Sequence, residues 1–325
     1  MIKSYYQMKI FIFLTLPILL ITISNINCFS QTNIEQSDFK KLTFIYKKIH
    51  KLEILADVYK IDTINKRPVV IYFHGGGFIF SNREQGLQHL LRDKFLKEKF
   101  VVVSADYRLA PETKLDSILK DAEDLYKWVL NEGPKLFNAD TSRVIVAGAS
   151  AGGVLAMHAA LNKHKPKAVI LISSPTDYTN LNWEPGNTLL LKAASEYSVV
   201  SKNELSYGDY DTRMSLYSFL KNNNLWLYEV IGFDLTKDTE RFKHILPFNN
   251  LKTDFPPTLI LHAKNDDDVP FSQAEILDTA MNKLMIKHEL NAVQEGHSSE
   301  LIKNNPDATI QIISFINEQI SILKE

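Results

Sequence analysis

Ser150 stands in the pentapeptide Gly148-Ala149-Ser150-Ala151-Gly152, after the apolar run "RVIVAG" and before "VLAMHAA". A strand, a sharp turn and a helix around G-x-S-x-G is the setting of a nucleophile elbow, which presents a serine hydroxyl at the edge of a sheet. Such a turn strains the serine backbone, so the residues two positions away must lack bulk, as Gly148 and Gly152 do. A serine hydroxyl needs a base, and the base needs an acid to orient it. In this setting they follow in the order serine, acid, histidine. Downstream, "TLILHAKNDDDVPFSQ" ends a strand and opens a loop with Asp266, Asp267 and Asp268. Asp266 is first out of the strand, which favours it over Asp267, although a shifted loop would favour the latter. Asp106, in "SADYRLAPE", is a weaker rival, better suited to pairing with Arg108 or bracing its turn. Of the nine histidines, only His297, in "NAVQEGHSSE", lies in a loop after a strand and after the acid.

The second chemical signal is His74-Gly75-Gly76-Gly77, just after "PVVIYF". Glycine is costly to order, so three in a row after a strand imply a backbone that something must approach closely. Acyl transfer builds an oxyanion, and each preorganised amide aimed at it contributes about 3–4 kcal/mol of transition-state stabilisation. A Cβ would block that approach. Gly76 and Gly77, with Gly75 as a third candidate, would donate from one side and the Ala151 amide from the other. His74 is expected to tie down the loop rather than move protons.

These residues need a scaffold that brings strand ends together. "PVVIYF", "FVVVSA", "RVIVAG", "AVILIS" and "TLILHA" are short, continuous, β-branched runs, the pattern of strands buried on both faces of a parallel sheet. "FIYKK" and "LEILADVYK" alternate partially and read as an antiparallel hairpin. Helical patterns cover Gln88 to Glu98, Leu115 to Asn131, Ala151 to Leu161, Ser272 to Leu284 and Ala308 to Leu323, with a last strand over Ile286 to Val293. The expectation is a doubly wound, mostly parallel eight-stranded α/β sheet. The connection between "AVILISS" and "TLILHA" is too long, at roughly 75 residues, for a structureless loop. It is expected to be an inserted helical cap at about residues 176–250, with Trp183 and Trp226 as candidates for a substrate pocket.

Composition is ordinary for a globular chain: 325 residues, 45% hydrophobic, 23% charged, with a formal net charge of −1. That balance carries no electrostatic footprint for nucleic acid. Cys28 is the only cysteine. With it in the leader, residues 31–325 would hold no disulfide, thiolate nucleophile or cysteine-based metal site. Lys3 and Lys9 precede an apolar run from Ile10 to Ile23. About 14 residues rise roughly 21 Å as a helix, short of a ~30 Å hydrocarbon core. Residues 1–30 therefore read as a secretory signal cut before Gln31, with export and no stable membrane span in the mature chain. A retained anchor and lipidation at Cys28 are the alternatives.

Taken together, "ADVY", "HGGGF", "DYRLAPE", "GASAGG" and "GHSSE" resemble the hormone-sensitive-lipase-like branch of the α/β-hydrolases, the fold-3 carboxylesterases. The likeness covers nearly the whole chain after the leader. It implies a triad of Ser150, Asp266 and His297, with Asp266 matching the aspartate of an "HGxxDxxVP"-like segment, here "HAKNDDDVP". It also implies ester hydrolysis on a small-molecule substrate through an acyl-enzyme, with no cofactor or metal. Two features depart from that branch. Ala149 stands where it usually has Asp, and the acid-bearing segment looks more like that of feruloyl-esterase and kynurenine-formamidase relatives. Other readings of the same residues are an amidase or peptidase using this triad, and a binding protein on a hydrolase scaffold. Peptidases of this fold typically lack the glycine loop, which favours esters. Oligomeric state is not legible.

Overall fold

The computed structural model describes residues 39–177, 209–234 and 237–320. The expected leader, and the part of the cap that holds Trp183, lie outside the described residues. Eight strands form one sheet: β1 (Lys40–Ile49), β2 (Leu52–Lys60), β3 (Arg67–Phe73), β4 (Val101–Ala105), β5 (Ala139–Ala149), β6 (Ala168–Ile172), β7 (Thr258–Asn265) and β8 (His288–Glu295). Their order is β1-β2-β4-β3-β5-β6-β7-β8. β2 runs antiparallel to both neighbours, and every pair from β4/β3 to β7/β8 is parallel.

The continuous apolar runs have a physical cause in this arrangement. Along β3, Val69, Ile71 and Phe73 join one core, while Val70 and Tyr72 join the other. Helices α2 (Leu115–Leu136), α3 (Ala151–Ala160) and α7 (Ser272–Lys283) cover the first face. Helices α1 (His89–Lys97), α8 (Ser299–Asn304) and α9 (Pro306–Ile320) cover the second. Burying each large side chain contributes about 1.5–3 kcal/mol, so two full cores hold the sheet edge rigid beneath the site.

Between β6 and β7 the described residues form α4 (Tyr210–Asn222), α5 (Trp226–Ile231) and α6 (Thr239–Ile245), then a single 3₁₀ turn at Pro247–Asn250. Buried Arg213 of α4 donates to the carbonyls of Ile79 (2.7 Å) and Ala110 (2.5 Å), and its guanidinium pairs with Glu112 at 2.6 Å. These bonds fasten the inserted helices to the segment after the glycine loop. Asp209 starts α4 by accepting the Thr212 amide at 2.9 Å, as an N-cap aspartate does. No helix among the described residues is long and apolar enough to cross a membrane.

Candidate active site

Ser150 sits between β5 and α3 with φ 51° and ψ −126°, a left-handed conformation that costs a non-glycine residue free energy. Two glycines make this turn sterically possible. A Cβ on Gly148 would lie 2.1 Å from the Gly152 carbonyl oxygen, and a Cβ on Gly152 would lie 2.1 Å from that of Phe73. The elbow is further pinned by the Ser150 amide donating to Ile172 at 2.8 Å. Gly152→Ala is therefore expected to cost at least about 2 kcal/mol in urea unfolding, because both colliding groups are backbone. An unchanged midpoint would show the elbow to be looser than its geometry.

The glycine loop lies beside that turn. Gly76 and Gly77 hold φ +106° and +58°, and the Gly76 carbonyl accepts from Ile79 (2.9 Å) and Phe80 (3.0 Å). Gly77 is closed from outside by the Tyr217 ring, which a Cβ there would meet at 2.3 Å. The amides of Gly76, Gly77 and Ala151 donate to no other group among the described residues. Amides left unpaired in this way, together with the partial positive charge of a helix N-terminus, are the kind of donors that stabilise an oxyanion. His74 braces this loop: its Nδ1 donates to the Gly75 carbonyl at 2.7 Å, and its ring stacks on Tyr107 at 4.2 Å. Burial pushes the His74 pKa below its ordinary value, partly offset by the bond to Gly75, so the ring is neutral and structural.

On the other side of the sheet edge, Asp266 and His297 meet from the ends of β7 and β8. His297 Nδ1 donates to Asp266 Oδ2 at 2.8 Å and to Oδ1 at 3.0 Å. Asp266 Oδ1 also accepts the amides of Asp268 (3.0 Å) and Val269 (2.8 Å), which fix the carboxylate's orientation. Burial pushes the Asp266 pKa up, but the His297 bond and charge and the Val269 amide outweigh it. The carboxyl is held below its ordinary range and is ionised at neutral pH. Asp267, by contrast, is exposed.

Four supporting residues were missed by sequence reasoning, and three of them, Ser173, Tyr217 and Lys221, act across long sequence separations. Buried Ser173, at the end of β6, accepts the Ser298 amide at 3.0 Å and so holds the His297 loop. His262 Nε2 donates to the Val269 carbonyl at 2.8 Å and shapes the acid loop. Tyr217 of α4 donates to Asp268 at 3.2 Å, and Lys221 pairs with the same carboxylate. Asp268 Oδ2 in turn lies 3.4 Å from His297 Nε2. Ser173→Ala should lower kcat about tenfold, since Ser173 anchors the loop that carries His297. Unaltered kcat would show that Ser298 needs no anchor.

Ser150, Gly75, Gly76, Gly77 and His297 line one cavity of about 200 Å³. Ser150 Oγ makes no hydrogen bond among the described residues, and His297 Nε2 lies beside Asp268, which lines the same cavity. Two expectations are corrected. Asp106 does not pair with Arg108; it takes Arg83 (2.5 Å), while Arg108 is held by buried Asp121 at 2.7 Å. The side chain of Asp106 thus closes the segment after the glycine loop onto the strand beside it. Trp226 does not line the cavity: it is buried, and its indole N–H donates to the Gly77 carbonyl at 2.7 Å, bracing the loop from behind.

Comparison with known proteins agrees with this architecture. The fungal non-reducing polyketide synthase ausA of Emericella nidulans is 26% identical over 78% of this chain, although the chain spans only 12% of that protein's length. The 3-O-acetylpapaveroxine carboxylesterase CXE2 of Papaver somniferum is 40% identical over 30% of this chain and 35% of its own. A hyperthermophilic esterase from the archaeon Pyrobaculum calidifontis is 25% identical and superposes with a TM-score of 0.62, covering 88% of this chain and 86% of the other. The thermostable carboxylesterase EstE1, cloned from a metagenomic library, shares the fold with a TM-score of 0.63 at 23% identity, over 87% and 90%. The α/β hydrolase fold family model Abhydrolase_3 matches residues 70–267, more than half of the chain. With its glycine loop, elbow serine and strand order, the chain belongs to the α/β-hydrolases, in the hormone-sensitive-lipase-like branch.

Proposed function

We propose that the protein is a serine carboxylesterase that hydrolyses small acyl esters through an acyl-enzyme. The observation that carries this reading is the convergence of Ser150, the glycine-loop amides and an Asp266-bonded His297 on one cavity. His297 Nε2 takes the proton as Ser150 Oγ forms a bond to the ester carbonyl carbon. The amides of Gly76, Gly77 and Ala151 receive the negative charge that develops on the carbonyl oxygen. The carbon–oxygen bond to the alcohol then breaks, and His297 returns the proton to the departing alkoxide. Water attacks the acyl-enzyme with His297 again as base, releasing the acid and restoring the serine. Asp266 holds the Nδ1 proton throughout, which leaves Nε2 as the basic atom. Every step is served by these side chains and backbone amides, without a metal or cofactor.

Turnover of 4-nitrophenyl acetate against a peptide 4-nitroanilide tests this reading. Ester turnover should exceed anilide turnover by at least about a hundredfold, the selectivity that the esterase reading requires. Anilide turnover without ester turnover would favour the amidase reading. Export through the apolar segment at residues 1–30 accompanies this proposal, and N-terminal sequencing of the protein recovered from culture medium tests it.

A further inference from the structure

We propose that the ester this site takes is a small acyl group on a saccharide hydroxyl, an assignment that rests on the esterase reading above. A second chamber of about 280 Å³ adjoins the Ser150 cavity, and the two share Phe80, Ser81, Gln85 and Tyr210 among their lining residues. Together they fall in the size range of small-molecule sites, about 300–1,000 Å³. Such sites are usually lined by apolar side chains. This one is not.

The chamber is polar without a charge that calls for an ionic ligand. Its two guanidiniums are already engaged: Arg83 with Asp106 and Asp57, and Arg213 with Glu112 and two carbonyls. Of its acids, Glu84 pairs with Lys41, and Asp209 caps α4. What is left for a ligand is neutral hydrogen-bonding capacity. The side chains of Ser81 and Tyr210, which line both spaces, make no hydrogen bond among the described residues. Gln85 accepts from Asn82 at 2.8 Å, so its own NH₂ group is left to donate. Hydroxyls that both donate and accept match such a wall, whereas an apolar ligand would strip water from these groups and leave them unpaired.

The size of each space assigns the two halves of the ester. The cavity around Ser150 is small and hemmed by Gly75, Gly76, Gly77 and the Tyr217 ring, which suits a short acyl chain. The hydroxylated half must then reach past Ser81 and Gln85 into the polar chamber. At that junction Tyr210 is 37% exposed and sits edge-on to Phe80 at 5.4 Å. An exposed aromatic ring there offers apolar surface to the C–H groups of a sugar, while the phenol stays free to hydrogen-bond. Hydrolysis breaks the bond between the acyl carbon and the sugar oxygen; water supplies the hydroxyl of the acid and the proton of the sugar.

The test compares 6-O-acetylglucose with cyclohexylmethyl acetate, each carrying an acetyl group on a primary alcohol next to a six-membered ring. Both kcat/KM values are normalised to the hydroxide-catalysed rates. The full chain should prefer the sugar ester by at least about tenfold, because the unpaired wall groups penalise the hydrocarbon. Tyr210→Ala and Gln85→Leu should each reduce that preference at least threefold, mostly through KM. Equal or better turnover of cyclohexylmethyl acetate would overturn the proposal, as would a preference that neither variant alters. In both cases, continued hydrolysis of 4-nitrophenyl acetate would leave the esterase reading standing. If the folded protein hydrolyses none of the three esters, that reading fails and the saccharide assignment fails with it.

Discussion

Ser150→Ala is expected to lower kcat for 4-nitrophenyl acetate by about 10⁶-fold, the loss seen when a serine triad loses its nucleophile. The fold should survive. Ser150 Oγ makes no hydrogen bond among the described residues, and the turn is built by Gly148 and Gly152 and by the Ser150 amide, all of which the substitution keeps. Urea unfolding should therefore move by no more than about 0.5 kcal/mol. Adding His297→Ala to this variant should lower activity little further, because the two residues act as one unit. Residual hydrolysis above the water rate would report the amides of Gly76, Gly77 and Ala151 still stabilising the oxyanion. Independent, multiplying losses in the double variant would show that His297 serves something other than Ser150.

Asp266→Asn should reduce kcat by about 10⁴-fold, and the reason lies in the loop that holds the side chain. Asp266 Oδ1 accepts two backbone amides, from Asp268 and Val269. An asparagine must therefore keep its carbonyl oxygen toward those amides and turn its NH₂ group toward His297. Nδ1 then has to accept, the ring proton moves to Nε2, and the base faces the serine in the wrong tautomer. Asp267→Asn, one residue along and exposed, should change kcat less than threefold. Stability carries the same signature. Because Asp266 has a lowered pKa in the folded state, its contribution is present above the unfolded carboxyl value and is lost as pH falls toward the folded one. The Asp266→Asn variant should accordingly show a flatter loss of stability on acidification. A larger kinetic effect at Asp267 than at Asp266 would place the acid one residue away.

The parts of this site that sequence displays are those fixed by sterics or by burial on two sides. Val69 to Phe73 reads as a strand because each face of the sheet buries alternate residues, so no polar position interrupts the run. Gly76, Gly148 and Gly152 are legible because nothing else fits where they sit. Helix α2 was harder to read. Gly133 and Pro134 look like a stop after Asn131, yet the helix continues to Leu136, with Gly133 packed closely on Phe137 and Ala139. Tertiary packing overrides local preference there. The last strand is offset from its apolar pattern, spanning His288–Glu295, because β8 is an edge whose register is set by pairing with β7. Contacts such as Ser173 with Ser298, or Lys221 with Asp268, join residues far apart in sequence, and no local pattern announces them. The same holds for Arg83 taking Asp106, where nearest-neighbour reasoning pointed to Arg108.

The central claim is that residue 150 is the nucleophile of a working hydrolytic centre, and covalent capture interrogates it most directly. Folded protein treated with a fluorophosphonate should gain one adduct by intact-mass spectrometry. Peptide mapping should place that adduct on Ser150, with labelling slowed at least a hundredfold in His297→Ala. An adduct on another residue, or none on protein whose circular dichroism is native, would contradict the account.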